Sequence, residues 1–135
     1  MPEYVFDRGD AASARVFASL DSFTQGYIEA AFWLGSEEEK IPEDSFSNLA
    51  PEALATMQAD CASFQQSFRG LLDQTDADDH RHGVDFWLTR NGHGAGFWDR
   101  GYGAVGDELT KMSKPYGESD LYRGDNGKIY HYPGS

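Results

Sequence analysis

The chain has one cysteine, Cys61, among 135 residues. An internal disulfide is excluded, and a reducing cytoplasm is the simplest compartment. No apolar run approaches the roughly 18 residues of a membrane span. The start, Met1-Pro-Glu-Tyr-Val-Phe-Asp-Arg8, has no basic stretch followed by an apolar one, so it does not read as a signal peptide. Positive charge is also scarce: 11 lysines and arginines face 23 acids, a net charge of −12. The shortage is one-sided. Through residue 80, four basic residues (Arg8, Arg15, Lys40, Arg69) stand against sixteen acids, and from residue 81 onward there are seven of each. An acidic field of this kind repels nucleic-acid phosphates and anionic membranes and attracts basic proteins.

Strong motifs are missing as well. The residues Asp78-Asp79-His80-Arg81-His82 concentrate metal-ligand types, but their spacing matches neither His-Glu-x-x-His nor paired Cys-x-x-Cys. His80 and His82 are candidate ligands on a strand or in a loop, set against the plainer reading of a solvated linker. Gly92-x-Gly94-x-Gly96 is neither a Walker loop nor a dinucleotide fingerprint. No serine elbow, Cys-His pattern or carboxylate pair stands out, and no cofactor is expected.

What is present is aromatic. Nine Phe, seven Tyr and three Trp mark a globular chain, and its length suits one domain, with residues 1–21 a candidate N-terminal extension. Alanines make residues 10–20 a short helix, although Val16-Phe17 also fits a strand. Ser22 and Gln25 have capping-box spacing, and Phe23, Tyr27, Ala30, Ala31 and Leu34 then recur with helical period up to Gly35. Pro51 and Glu52 suit a first helical turn, and Leu54, Met57, Cys61, Phe64, Phe68 and Leu71 form the clearest helical stripe. Cys61 on that stripe reads as a buried structural thiol.

After Gly83 the texture changes. Residues 84–90 read as a strand, 91–96 as a glycine-rich turn and 97–100 as the returning strand of a hairpin. Asp107 starts a short helix reaching Lys114, and Pro115 stops it. Residues 121–123 and 128–132 form a second hairpin about Gly124-Asp-Asn-Gly127. The fold class is α+β: two main helices on a small antiparallel sheet of two hairpins, with a short third helix.

The most distinctive stretch is Asp85-Phe-Trp-Leu-Thr-Arg-Asn-Gly-His-Gly-Ala-Gly-Phe-Trp-Asp-Arg-Gly101. With it, in order along the chain, stand Gly26-Tyr-Ile-Glu-Ala-Ala-Phe-Trp33, Leu49-Ala-Pro-Glu-Ala-Leu-Ala55, Asp60-Cys-Ala-Ser-Phe64, Gly106-Asp-Glu-Leu-Thr110, Asp120-Leu-Tyr122 and Gly127-Lys-Ile-Tyr130. Together, over roughly residues 23–132, these resemble a family of small proteins from tailed phages and prophages. Residues before 22 depart from the short starts of that family. The resemblance implies phage or prophage origin and action inside a bacterial cell, and it brings no catalytic residues with it.

Three functional readings follow. The first is a cytoplasmic binding protein that occupies a basic site on a host protein, in its sharpest form a DNA mimic that inhibits a defence or DNA-handling enzyme. Its contacts are Glu37, Glu38, Glu39, Glu43, Asp44, Asp73, Asp76, Asp78 and Asp79. Solubility alone is the plainer account of the same acids. The second is an enzyme or small-ligand binder built on His93 as base, Asp99 as its orienting carboxylate and Arg100 as an anion clamp, beside Trp98, with a metal on His80 and His82. The third is a single-strand nucleic-acid accessory protein. It would stack bases on Trp87, Phe97, Trp98 and Tyr102 beside Arg90 and Arg100, with Asn91 and His93 on the same aromatic loop surface. Core packing is the plainer account of those rings, and −12 of charge opposes phosphate binding. The chain reads as a binding protein before an enzyme, with a basic host protein as partner, nucleic acid and membrane disfavoured, and a homo-oligomer compatible with the sequence.

Overall fold

The computed structural model describes residues 5–132. Along the chain it places α1 (Ala11–Ser19), α2 (Ser22–Trp33), α3 (Pro51–Leu72), α4 (Asp79–Arg90) and α5 (Ala104–Ser113), then β1 (Asp120–Arg123) and β2 (Ile129–Tyr132). Short 3-10 turns occupy Ile41–Glu43, Phe46–Asn48, Phe97–Asp99 and Lys114–Tyr116. The class is α+β, with a two-stranded antiparallel sheet pairing Asp120 with Tyr132 and Tyr122 with Tyr130.

Aspartates begin three of these helices. The carboxylates of Asp10, Asp21 and Asp78 accept the backbone N–H of Ser13, Thr24 and Arg81 at 2.8, 2.8 and 2.9 Å. Each satisfies a donor that the first helical turn leaves open. At α2 the cap is thus Asp21 and not the expected Ser22. Gln25 does not close a capping box. Its Nε2 donates to the carbonyls of Phe17 and Leu20 and so fastens α2 to the end of α1. The start of α3 is as read, with Pro51 in its first turn beside Glu52.

The sequence expectation fails at residues 84–90, which are helix and not strand. His82, Gly83 and every residue from Asp85 through Arg90 are buried. A helix enclosed on nearly all sides shows no polar face, so its period is invisible, and Val, Phe, Trp and Thr bias the reading toward a strand. The glycine-rich stretch is correspondingly a helix terminator. Gly92 takes φ +65°, Gly92 N donates to the Thr89 carbonyl and His93 N to the Leu88 carbonyl. That is a Schellman motif, and a left-handed residue there strongly favours glycine. Phe97 and Trp98 then fall in a 3-10 turn, so the sheet has one hairpin instead of two.

Helices α2 and α4 are in backbone contact. A Cβ added at Gly26 would lie 2.1 Å from the His80 carbonyl oxygen, and one at Gly83 would lie 1.8 Å from that of Phe23. Moving forward on α2 from Phe23 to Gly26 means moving back on α4 from Gly83 to His80, so the pair is antiparallel. The Glu29–His80 hydrogen bond (2.7 Å) and the Phe23–Phe86 ring contact (5.8 Å) keep the same order.

Aromatic rings fill the space around this pair. Phe64 of α3 stacks on Phe86 (4.3 Å between centroids) and on Phe97 (5.9 Å). A second group joins Phe6 to Phe17, Phe32 and Phe46. The segment before α1 therefore folds onto the body; of the candidate extension, residues 1–4 lie outside the described residues. The hairpin is contacted at both edges: Arg123 N donates to Glu39 Oε1 (2.9 Å), and Ala50 N donates to the Ile129 carbonyl (2.8 Å).

Candidate functional site

The strongest polar constellation is buried. Arg90, at the end of α4, donates to Asp60 Oδ2 (2.8 Å), the Tyr27 hydroxyl oxygen (2.9 Å) and the carbonyls of Tyr116 and Gly117 (both 2.8 Å). Tyr27 OH then donates to Ser119 Oγ (2.7 Å), and Ser119 hydrogen-bonds His131 Nε2. Ser119 Oγ, having accepted from Tyr27, shares a further hydrogen bond with His131 Nε2 in which either atom can donate. Burial, reinforced by the Arg90 charge, pushes the His131 pKa down; the Asp60 carboxylate opposes this more weakly. Burial likewise pushes the Tyr27 phenol up, and the Cys61 thiol well up, which keeps that sulfur an inert core group.

This network joins α2, α3, α4, the segment after α5 and β2. No spacing rule links residues so far apart in sequence. The one available hint was an arginine inside an apolar run.

His131 carries a pH consequence. The unfolded chain takes up a proton near pH 6.5 that the folded chain resists. Stability is therefore fully present above that value and falls as the pH drops below it. The urea midpoint is expected to be lower at pH 5.5 than at pH 7.5, and His131→Gln to shrink the difference. An unchanged wild-type midpoint would contradict a neutral buried imidazole.

The acids proposed as partner contacts divide. Glu37, Glu38, Glu43, Asp76 and Asp78 are exposed and make no ion pair among the described residues. Asp44 pairs with Arg123, whose backbone N–H also reaches Glu39. Burial raises the Asp44 carboxyl, but hydrogen bonds from Asn48, Ser45 and Arg123 outweigh it and hold the group below the carboxylate range. Arg69 bridges Asp73 (3.0 Å) and Asp79 (2.8 Å), and its hydrogen bonds hold Asp79 low. Asp44 is thus paired, and Asp73 and Asp79 share the single charge of Arg69, which corrects their place in the proposed contact set.

The proposed metal ligands separate. His80 pairs with Glu29, while His82 is buried between Asp79 Oδ1 (3.2 Å) and Thr75 Oγ1 (2.6 Å). Both lie in the first turns of α4 and not on a strand. Among the described residues no group of three His, Cys, Asp or Glu could hold a metal. Thr75, His82 and Asp79 have the order of a nucleophile, base and orienting acid. However, Thr75 Oγ1 also bonds the Leu72 carbonyl (3.0 Å) and Ala77 N (3.3 Å), and the imidazole is closed off from solvent. The trio clamps the α3–α4 connection.

The second reading loses its centre. His93 packs on Trp87 (4.9 Å between rings), Asp99 accepts Gly96 N (3.0 Å), and Arg100 donates through Nε and Nη2 to buried Asp85 (3.0 and 2.7 Å). Arg100 also comes within 3.9 Å of Asp99, so two of the three residues are neighbours, while His93 is in an aromatic contact with Trp87. A shallow groove of about 360 Å³ lined by Ser63, Ser67, Phe68, Met112, Pro115 and Tyr116 contains none of them. The stacking surface is also corrected. Trp87 and Phe97 are in the core and Arg90 is in the network, so of that set Trp98 is the large exposed ring (41%). Asn91 is held too: its Oδ1 accepts Ser119 N (2.8 Å).

Among the described residues no helix is long and apolar enough to cross a membrane. No family model, curated protein or solved structure matches the chain.

Proposed function

We propose that this chain is a phage-type binding protein that acts inside a bacterial cell by occupying a basic site on a host protein. In its sharper form it stands in for the DNA that such a site holds and inhibits a defence or DNA-handling enzyme. The observation that carries the reading is the placement of charge around the α2–α4 pair. Because these helices are antiparallel, the acidic segment that follows α2 and the one that precedes α4 leave from the same end of the pair. Glu37, Glu38 and Glu43 belong to the first, and Asp76 and Asp78 to the second. Five arginines, Arg69, Arg81, Arg90, Arg100 and Arg123, are meanwhile spent on ion pairs within the chain. Exposed Lys40 stands among the glutamates of the first segment, so the field on that end is predominantly and not wholly negative; it accelerates encounter with a basic surface and disfavours nucleic acid. The phage resemblance supports the host setting.

The test is capture from bacterial lysate on the immobilised chain, beside a variant carrying Glu37→Gln, Glu38→Gln, Glu43→Gln, Asp76→Asn and Asp78→Asn. Asparagine at position 78 still caps α4. A basic protein is expected on the wild type, eluted by salt and displaced by duplex DNA. With the purified partner, the variant binds at least about tenfold more weakly. Equal binding to both chains would overturn the proposal, and failure of duplex DNA to compete would remove its DNA-mimic form.

A further inference from the structure

The C-terminal hairpin has two unlike faces. Leu121, Ile129 and His131 point inward and are buried, while Tyr122, Tyr130 and Tyr132 share the outer face. Tyr122 is 37% exposed and Tyr132 57%. Two of these rings are held in place: Tyr122 and Tyr130 stack at 5.9 Å and 29°, and the Tyr130 hydroxyl accepts Asn126 Nδ2 at 2.7 Å. Rigid tyrosines that lose little freedom on contact are typical anchors of protein interfaces.

Glu39 and Ala50 each occupy a backbone group at a hairpin edge, which obstructs strand addition there and leaves the face as the open surface. That face carries negative charge. Asp120 lies on it, directly across from Tyr132. Partial burial is the main reason the Asp120 carboxyl titrates above its ordinary range; the Leu121 N–H and His93 oppose this, and Glu118 and Glu39 add to it more weakly. The 3-10 turn Ile41–Glu43, in which Glu43 is exposed, packs against β1.

We infer that the outer face of this hairpin seats an arginine-bearing segment of the basic partner, with guanidinium planes on Tyr122 and Tyr132 and their N–H groups toward Asp120 and Glu118. The inference rests on the binding function proposed above and names its contact chemistry. Arginine suits the surface better than lysine because a planar, weakly hydrated cation stacks on a ring while its edge donates to carboxylates.

The probes are nona-arginine and nona-lysine peptides, titrated by fluorescence anisotropy into the full chain at 150 mM salt. The wild type is expected to bind the arginine peptide about fivefold more tightly than the lysine peptide. Tyr122→Thr with Tyr132→Thr, checked for native circular dichroism, abolishes that preference and leaves lysine-peptide binding in place. Tyr122→Phe with Tyr132→Phe keeps the preference. Equal affinity of the wild type for both peptides, or a preference that survives the threonine pair, overturns the inference. So does tyrosine-dependent binding of oligo(dT), or tyrosine-dependent self-association in sedimentation, since either gives the face another occupant. If the five-carboxamide variant binds both peptides as the wild type does, the acidic-surface proposal fails instead.

Discussion

Gly83→Ala is expected to cost the protein about 3 kcal/mol or more and to lower the melting temperature by roughly 10 °C. In an ordinary helix the same change stabilises by about 0.5–1 kcal/mol, because alanine has less backbone freedom to lose. Here the new methyl would sit 1.8 Å from the Phe23 carbonyl oxygen, and no rotamer change relieves a clash between backbone and Cβ. The helices must separate, which unpacks Phe86 from Phe23 and Phe64. Gly26→Ala meets the His80 carbonyl at 2.1 Å and is expected to behave similarly. Gly70 supplies the control. It lies in α3 with nothing within 4 Å of an added Cβ, so Gly70→Ala should raise stability by about 0.5–1 kcal/mol. Urea and thermal unfolding of the three variants decide the matter. Equal stability of Gly83→Ala and wild type would mean that α2 and α4 are not in backbone contact.

The second large effect is at Arg90. Arg90→Met removes the donor for Asp60, Tyr27 and two backbone carbonyls at once. Breaking a buried ion pair from one side costs about 3–5 kcal/mol, because the partner is left without compensation. Arg90→Lys should recover little of this. An ammonium cannot spread donors across a planar fork to four acceptors on separate segments. Adding Asp60→Leu to Arg90→Met should restore part of the loss and not all of it, since the Tyr116 and Gly117 carbonyls still lack their donor. Full recovery in the double variant, measured by urea unfolding, would show that the carbonyl contacts contribute nothing.

The sequence was most legible where an element has one wet side. Helix α3 alternates buried Met57, Cys61 and Phe64 with exposed neighbours, so its period shows. The C-terminal hairpin announces itself through Asn126-Gly127. Helix α4 hid because it has no wet side, and its terminator, Asn91-Gly92, looks from sequence like a hairpin turn. In the Phe86-Trp87 and Phe97-Trp98 pairs both phenylalanines are buried but the tryptophans differ: Trp87 is enclosed within a helix, while Trp98 projects from a 3-10 turn. Composition cannot separate them, because their surroundings come from segments distant in the chain. The acidic character of the first eighty residues was plain. Its partial cancellation was not, since Arg123 reaches Asp44 from the other end of the molecule.

The aspartates at positions 10, 21 and 78 limit how this protein can change. Each carboxylate that opens a helix does a job lysine cannot do, since a cation there would face the positive end of the helix and offer no acceptor. Drift or engineering toward neutrality can pass through these positions only by way of asparagine, serine or threonine, so what the architecture itself requires there is an acceptor and not a charge.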